Sequence, residues 1–486
     1  MTDVLSALDE TFLELEELEP GALMNIGAIL VFDALPEGRA PTLSALRASR
    51  LELLDQLPRY TQRLSSTRTG RFARPCWEPA EQFDIADHVY RVGLPAPGGD
   101  RELFEWTGEF FSHPLDRTKP LWELVLVEGL EGGRWALASK IHHCMVDGVG
   151  SAGLMDVTMS RSPERAAPVV EAPWIAAKGE QSHHGVDPVL QATSAGAHAG
   201  SAVVHAALHP RNALARSRSL ASLLVRDGLS GAERTSLNVP IGQDRRFALV
   251  RVPLSDLKEI GRRLGATVND VALAACASGL RRLLIERDEQ LPARGLRAMV
   301  PVNVRDASDR SGSGNRVSSV FVELPVAEPM AEVRLARIHE ATSQLTASHA
   351  ATGPTTLLDL AELAPPVVVR AALARTAFST RLFAITITNV PGPRETLYEF
   401  GAPLREVHPI VPLAAEHAVG IAIFSYAGLV TLGINADARS MHDLDVLVQG
   451  IEHGINELRP AVKRPARPLS QSPSSAADSR ESTPPD

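Results

Sequence analysis

The stretch KIHHCMVDGVG, residues 140–150, places two adjacent histidines three residues before an Asp-Gly pair. It closes a β-rich run, RWALASKIHH (134–143), in which successive side chains point to opposite faces. His142 therefore points away from the face that carries His143. The face of His143 also carries Trp135, Leu137, Ser139 and Ile141.

Three interpretations fit these histidines: a metal site, a catalytic base in a turn, or two ordinary strand residues. Adjacent strand histidines diverge, which makes it awkward for both to bind one ion. On an extended chain His143 and Asp147 would lie about 13 Å apart, so the chain must curl if the two cooperate. Gly148 suits such a tight turn, and a histidine with a free, oriented ring nitrogen suits a general base.

Composition predicts a large soluble-type globular protein with enough apolar residues for a sizeable core. Of the 486 residues, 44% are hydrophobic and 22% are charged, and the formal charge is -9. No Lys/Arg run is typical of a nucleic-acid site. We expect no nucleic-acid partner and, because 486 residues exceed one typical domain, two large domains.

The cysteines and the N-terminus favour a cytoplasmic protein. Cys76, Cys144 and Cys276 are too dispersed for a disulfide framework or a zinc site. The acidic, amphipathic opening, MTDVLSALDETFLELEELEP, differs from a signal peptide. No apolar run reaches the roughly 20 residues that cross a bilayer.

The hydrophobic periodicity predicts an α/β fold of two similar halves with a long segment between them. Helices are expected near 1–20, 42–57, 101–115, 149–160, 254–265, 267–287, 330–348 and 442–458. Strands are expected near 24–32, 120–128, 134–143, 246–254, 296–305, 315–325 and 383–393. Two more are expected within 416–437, on either side of Tyr426-Ala427-Gly428. We divide the chain into an N-terminal domain (1–160), a linker or crossing segment (161–240), a C-terminal domain (241–459) and a disordered tail (460–486).

Several stretches resemble the bacterial wax ester synthase/diacylglycerol acyltransferase family, a branch of the CoA-dependent acyltransferase superfamily. His142 to Gly148 match the HHxxxDG motif of that superfamily. The narrower family is indicated by LDETFLELE at the start, HPLDRTKPLWELVLVEGLEGGRWALASKIHHCMVDG, TVNDVALA, PVNVR, GNRVSSVFVELP, TNVPGP and SYAGLVTLGINAD. The similarity extends over about residues 5–458 and is weakest in 161–240.

The resemblance implies two chloramphenicol-acetyltransferase-like α/β domains with a crossing linker and an active-site tunnel at their interface. It implies transfer of a fatty acyl group from acyl-CoA to diacylglycerol, to a long-chain alcohol, or to both. The acyl-CoA would be a substrate, and we expect no cofactor and no metal. Carrier-thioester condensation and a non-catalytic protein that binds lipid inclusions are the competing functions.

The resemblance also assigns roles to residues. His143 would be the general base of a ternary complex without an acyl-enzyme, with His142 and Gly148 in the same motif. Asp147 would be mainly architectural, paired with an arginine for which Arg305 is the candidate. Asn269 and Asp270 would support the site from the second domain, although Asn269, like Thr267, also suits the N-cap of this helix. Asn389 and Gly392 would shape the tunnel or form a turn.

The expected partners are acyl-CoA and a lipid alcohol. Because both are lipids, we also expect contact with the inner membrane or with lipid inclusions. The candidate contact segments are residues 189–227 and the opening helix, for which ordinary domain packing is the alternative. The sequence predicts no oligomeric state. The side chain of Cys144 diverges from His143, so a thiol nucleophile is disfavoured.

Overall fold

The computed structural model describes residues 3–36, 38–65, 75–145, 155, 157–164, 232–303, 317–352 and 378–459. Its helices are α1 (Ala7–Leu18), α2 (Leu43–Leu54), α3 (Asp100–Phe111), α4 (Leu254–Leu264), α5 (Val268–Glu286), α6 (Ala331–Thr352) and α7 (Leu444–Leu458). Its strands are β1 (Asp3–Val4), β2 (Asn25–Phe32), β3 (Gln62–Leu64), β4 (Cys76–Pro79), β5 (Val89–Gly93), β6 (Trp122–Glu128), β7 (Trp135–His142), β8 (Arg245–Pro253), β9 (Leu296–Asn303), β10 (Val317–Leu324), β11 (Ile385–Pro391), β12 (Tyr398–Glu399), β13 (Ala402–Ile410), β14 (Val419–Tyr426) and β15 (Leu429–Asp437).

The first large sheet carries the histidine pair at the end of β7. Its strand order is β12-β13-β2-β7-β6-β5, with β5 parallel to β6 and the other pairs antiparallel. The register pairs Asn25, at the start of β2, with His142, at the end of β7. Alternate residues of β7 enter different apolar clusters, Trp135 and Leu137 on one face and Ala136 and Ala138 on the other. The predicted alternation of this strand is therefore confirmed.

The second large sheet has the order β10-β9-β11-β14-β15-β8. The strand β11 lies parallel to both of its neighbours, β9 and β14. One core packs α4, α5 and α7 against this sheet, and α5 is buried along most of its length. Both large sheets carry helices, which confirms the α/β fold class.

A strand from late in the chain completes the first sheet, a feature that the periodicity did not predict. The strand β13 pairs with β2, about 370 residues earlier, although β11 and β14 on either side of it in sequence lie in the second sheet. The division into domains 1–160 and 241–459 stays a proposal. The pairing of β13 with β2 shows that these two parts of the chain contribute strands to one sheet.

The two sheets are joined by polar contacts between β13 and β15. On β15, Thr431 donates to the carbonyl of Val407 (2.6 Å) and Asn435 donates to the carbonyl of Val411 (2.9 Å). Between them Gly433 lies so close to the carbonyl of Pro409 that any side chain would collide with it. Thr431, Gly433 and Asn435 are two residues apart along β15, so all three face β13.

Helix ends follow the sequence signals. Ser6 caps α1, and Thr42 caps α2. Thr267 caps α5 in a capping box with Asp270. Of the two predicted N-cap candidates, Thr267 is therefore confirmed and Asn269 is wrong, because Asn269 lies inside the first turn.

One face of the opening helix packs in the core. Phe12, Leu13 and Leu15 are buried, whereas Leu18 is exposed. The burial agrees with domain packing, the alternative given above, and contact of this helix with a membrane stays a prediction. Residues 189–227 and the predicted disordered tail, 460–486, lie outside the described residues. Within the described ranges, no helix has the length and apolarity needed to cross a membrane.

Candidate active site

The histidine turn, residues 142–145, is anchored by backbone hydrogen bonds from two sides. The strand β7 ends at His142, and His143 to Met145 form a single 3-10 turn. The N–H of His142 donates to the carbonyl of Leu121 (3.0 Å), and the N–H of His143 donates to the carbonyl of Met24 (2.8 Å). The curl that cooperation with a later residue requires therefore begins at His143.

The ring of His143 lies in a largely apolar setting that keeps it neutral. Phe12 stacks on it with ring centroids 4.1 Å apart and planes 26° apart. Desolvation lowers the pKa of His143 to about 4; its own backbone opposes the shift and the neighbouring His142 adds to it. Nδ1 is buried without a hydrogen-bond partner among the described residues, whereas the residue as a whole is partly exposed. Nδ1 is therefore closed to a substrate, which leaves Nε2 as the ring nitrogen for proton transfer.

His142 is buried and is engaged in the structure of the turn. Its Nδ1 accepts from the N–H of Cys144 (3.2 Å) and lies 2.9 Å from the Sγ of that residue. A nitrogen that accepts an N–H carries no proton, so the proton of a neutral ring is on Nε2. That Nε2 lies 3.5 Å from Oε2 of Glu16. The two adjacent histidines thus have different surroundings and offer different chemistry.

Two residues that the sequence did not single out complete this network. Glu16 Oε2 lies 2.6 Å from Nη2 of Arg117. Burial by itself would raise the pKa of Glu16, but hydrogen bonds and charge from His142 and Arg117 lower it to about 2. Glu16 is therefore ionised at neutral pH. The stretches LDETFLELE and HPLDRTKP, which carry the family resemblance, contain these two residues, but no local pattern indicates that they meet.

The thiol beside the histidines is poorly suited to nucleophilic attack. Cys144 is buried, and burial, with the nearby charge of Asp9, raises its pKa. A thiolate is the nucleophilic form of cysteine, and this environment disfavours it. Among the described residues, no group of three His, Cys, Asp or Glu side chains is placed to hold a metal ion.

Two of the predicted site residues meet in the second half of the chain. Nδ2 of Asn389, on β11, donates to Oδ1 of Asn269, on α5, at 2.8 Å. They are 120 residues apart in sequence. Their contact ties the first turn of the buried helix α5 to the end of a central strand.

Asp270 is held by donors on two helices. Its carboxylate accepts from the N–H of Thr267 (2.9 Å), from the hydroxyl of Thr342 (2.8 Å) and lies 2.8 Å from Nδ1 of His339. Burial opposes ionisation, but these contacts, that of His339 first, lower the pKa of Asp270. The sequence did not indicate His339 or Thr342, because α6 is far from Asp270 along the chain.

Gly392 fills a position that has no space for a side chain. A Cβ there would lie 2.5 Å from Cε1 of Phe424 and 2.6 Å from the carbonyl oxygen of Ser425. Val390 and Phe424 pack with Cys144 and Met145 in one apolar cluster. This cluster joins the TNVPGP strand to the histidine turn.

The remaining predicted residues lie outside the described part of the chain. They are Asp147, Gly148 and Arg305. Their proposed roles, an architectural aspartate, a turn glycine and the arginine partner, stay predictions. The described contacts place His142 with His143, and Asn269 with Asn389 beside Asp270.

Comparison with known proteins agrees with the resemblance drawn from the motifs. The model of the wax ester synthase/diacylglycerol acyltransferase catalytic domain matches residues 5–272, and that of the WS/DGAT C-terminal domain matches residues 313–459. The chain is 32% identical to the probable diacylglycerol O-acyltransferase tgs1 of Mycobacterium tuberculosis over 474 residues, which is 95% of this chain and 96% of that protein.

Solved structures agree at the level of the fold. A wax ester synthase/diacylglycerol acyltransferase from Marinobacter aquaeolei VT8 is similar with a TM-score of 0.66 and 26% identity, covering 94% of this chain and 98% of that one. The first condensation domain of the calcium-dependent antibiotic synthetase shares the fold at 16% identity, with a TM-score of 0.60 over 94% of this chain and 96% of its own. Together with the family models, these findings place the histidine turn in the catalytic domain. The chain belongs to the wax ester synthase/diacylglycerol acyltransferase family.

Proposed function

We propose that His143 is the general base of an acyl transfer to the hydroxyl of diacylglycerol, of a long-chain alcohol, or of both. Family membership makes the chain an acyl-CoA-dependent O-acyltransferase. The observation that carries the assignment is the second histidine of the motif, a partly exposed residue whose pKa is lowered to about 4. A base must be unprotonated at working pH, and this environment supplies that form.

The step proceeds in a ternary complex. Nε2 of His143 takes the proton of the acceptor hydroxyl while the hydroxyl oxygen bonds to the thioester carbonyl carbon. When the tetrahedral intermediate collapses, the C–S bond breaks and the imidazolium returns the proton to the departing CoA thiolate. No acyl-enzyme is required, which is consistent with the raised pKa of the buried Cys144.

We propose that this reaction needs no metal or redox cofactor. Ester formation from a thioester requires a base and donors for the developing oxyanion, and neither role needs a metal. The Asn269–Asn389 pair and Gly392 support the proposed tunnel by fixing the end of β11 against α5 and Phe424. Asp147 and Gly148 are proposed to close the turn after His143.

We propose that the protein takes its lipid substrates from a membrane or lipid-inclusion surface. Both acceptor classes are nearly insoluble in water, so such a surface is where they are available. Sedimentation with vesicles that contain dioleoylglycerol tests this association. Recovery of the protein in the supernatant at every lipid concentration would contradict it.

The function is tested by thiol release from palmitoyl-CoA with dioleoylglycerol or hexadecanol as acceptor. A His143→Ala variant should lose about 10²–10⁴-fold in kcat if the ring is the general base. His453→Ala, which removes an exposed histidine on α7 (62% exposed), is the matched control and should keep its activity. A folded His143→Ala protein with unchanged release would overturn the assignment, and release with neither acceptor would favour the carrier-thioester or non-catalytic alternatives.

A further inference from the structure

One face of α1 touches both rings of the histidine pair. Phe12 and Glu16 are four residues apart, so they share a face of the helix. Phe12 stacks on His143 with centroids 4.1 Å apart, and Oε2 of Glu16 lies 3.5 Å from Nε2 of His142. The helix that opens the chain thus contacts the end of β7 at two positions.

The backbone of Met24 links the same two groups. Its N–H donates to Oε1 of Glu16 (3.3 Å), and its carbonyl accepts from the N–H of His143 (2.8 Å). Glu16 therefore contacts His142 through Oε2 and, through Oε1, the residue whose carbonyl accepts from the N–H of His143. A shift of this carboxylate would disturb both histidines.

Arg117 fixes Glu16 from the opposite side. Its guanidinium contacts Glu16 (2.6 Å), Glu17 (2.9 Å) and the carbonyl of Leu13 (3.4 Å). Three acceptors on one helix restrict the rotation of α1 about its axis. The face with Phe12 and Glu16 is therefore held toward the histidine turn.

We propose that α1 is the positioning element of the reaction: Phe12 orients the ring of His143 and shields it from water, and Glu16 orients the ring of His142. The inference rests on the proposed function, because it assumes that His143 is the base. Phe12 and Glu16 are positioning residues, since each acts through a histidine.

The shielding by Phe12 has a consequence for the proton affinity of His143. Of the titratable groups in the described residues, His142 acts directly on the pKa of the ring. Cys144 in the same turn, Glu16 on α1 and Arg117 before β6 belong to the network around His142. Phe12 itself belongs to an apolar cluster with Phe378 and Ala414. Desolvation is the main cause that lowers the pKa of His143 to about 4. Water in the place of Phe12 would raise it toward the ordinary value of about 6.5.

The test is the pH profile of kcat/KM between pH 5 and 8 for Phe12→Ala. The free-enzyme profile reports the pKa of the base, and activity is lost as pH falls through it. We expect the wild type to stay near its plateau at pH 5. If the pKa rises to about 6, Phe12→Ala will be about tenfold below its own plateau at pH 5.

The matched control is Leu15→Ala. Leu15 is buried on the same helix and in the same apolar cluster as Phe12, so its truncation tests a general loss of packing. Its acid limb should coincide with that of the wild type. If the Phe12→Ala protein does not fold, Phe12→Leu keeps most of the packing and must still lower kcat at pH 8 more than Leu15→Ala does.

Glu16 is tested by comparing Glu16→Gln with Glu16→Ala. Removing a group that orients a metal-bound histidine costs about 10–100-fold, and we expect a similar loss of kcat for Glu16→Ala. The glutamine variant keeps an oxygen that can accept from His142, so it should recover part of this loss. KM for palmitoyl-CoA should change by less than about twofold, because neither variant touches the proposed substrate site.

The same assay on His143→Ala distinguishes a failure of the proposed base from a failure of the positioning role of α1. If His143→Ala is active, the proposed base is wrong and the positioning inference fails with it. If His143→Ala is inactive but the acid limbs of Phe12→Ala and Leu15→Ala coincide, the base assignment stands and the shielding role is overturned. Equal losses of kcat for Glu16→Gln and Glu16→Ala, or a loss confined to KM, would overturn the orienting role of Glu16.

Discussion

Replacing Asp270 by Asn separates a structural role of the Asn-Asp pair from a chemical one. Asp270 is 1% exposed and its carboxylate accepts from Thr267, Thr342 and His339. The amide of Asn has one acceptor oxygen, and its NH2 group would face donors. One or two of the three contacts should therefore be lost.

The magnitude follows from these contacts. A hydrogen bond to a charged group contributes about 1.5–3 kcal/mol, and relief from burying a charge offsets part of the loss. We expect Asp270→Asn to lower the free energy of unfolding by about 2–4 kcal/mol. Because the pKa of Asp270 is lowered in the folded state, its contribution is complete above the unfolded pKa of about 3.9. The difference from wild type should therefore shrink as pH falls below about 4.

The assay is urea unfolding followed by circular dichroism at pH 7 and at pH 3.5, with activity measured on the same samples. Asp445→Asn is the matched control, since Asp445 is an exposed acid in the first turn of α7. It should cost at most about 1 kcal/mol through the helix dipole. An Asp270→Asn protein with wild-type stability and a loss of activity above about 10²-fold would refute the structural role and indicate a chemical one.

Two further substitutions test the proposed tunnel at Gly392 and the contact between the two large sheets at Arg251. Gly392→Ala should lower the free energy of unfolding by about 1–3 kcal/mol and change the acyl-chain preference across C12 to C18 acyl-CoA, because its Cβ would lie 2.5 Å from Cε1 of Phe424. Gly93→Ala, which has open space around it, is the control for stability and for chain preference. Equal behaviour of the two variants would contradict the steric argument. Arg251→Met removes the partner of Glu406 (2.6 Å) and of Asp100 (2.7 Å) and should cost about 1–2 kcal/mol at pH 7, discounted because Arg251 is 31% exposed. Burial by itself would raise the pKa of Glu406, but contacts with His408 and Arg251 outweigh burial and lower it. The loss of stability in Arg251→Met should therefore diminish below about pH 4.5, which thermal unfolding at pH 7 and 3.5 will show. Arg262→Met, at an exposed ion pair, is the control and should have little effect at either pH.

Local sequence patterns predicted most helices and strands because the pattern of apolar and polar residues in an element follows which of its faces are buried. The alternation in β7 reflects two different apolar faces, and Thr42 and Thr267 cap the N-termini of their helices by accepting backbone N–H groups. The strand β13 was not predicted, although its residues alternate in burial over part of their length. Its place beside β2 depends on a pairing across about 370 residues, which no local period records.

The candidate site divides in the same way. The motif identified His142 and His143, and the family stretches identified Asn269, Asp270, Asn389 and Gly392. The sequence did not show that Asn269 meets Asn389, or that His339 contacts Asp270 from α6. It also did not show what surrounds each histidine: His142 is enclosed by Glu16 and Cys144, and His143 is stacked on Phe12.

The sequence by itself determined the family, the α/β class and the histidines that carry the proposed chemistry, because motif spacing and periodicity are local properties of the chain. Only the tertiary structure decided which side chains surround those histidines, which sheet receives β13, and how α1 lies against the turn. The physical reason is that desolvation, charge and stacking act over a few ångströms in space. Phe12 and His143 are 131 positions apart in the chain, yet their ring centroids are separated by only 4.1 Å.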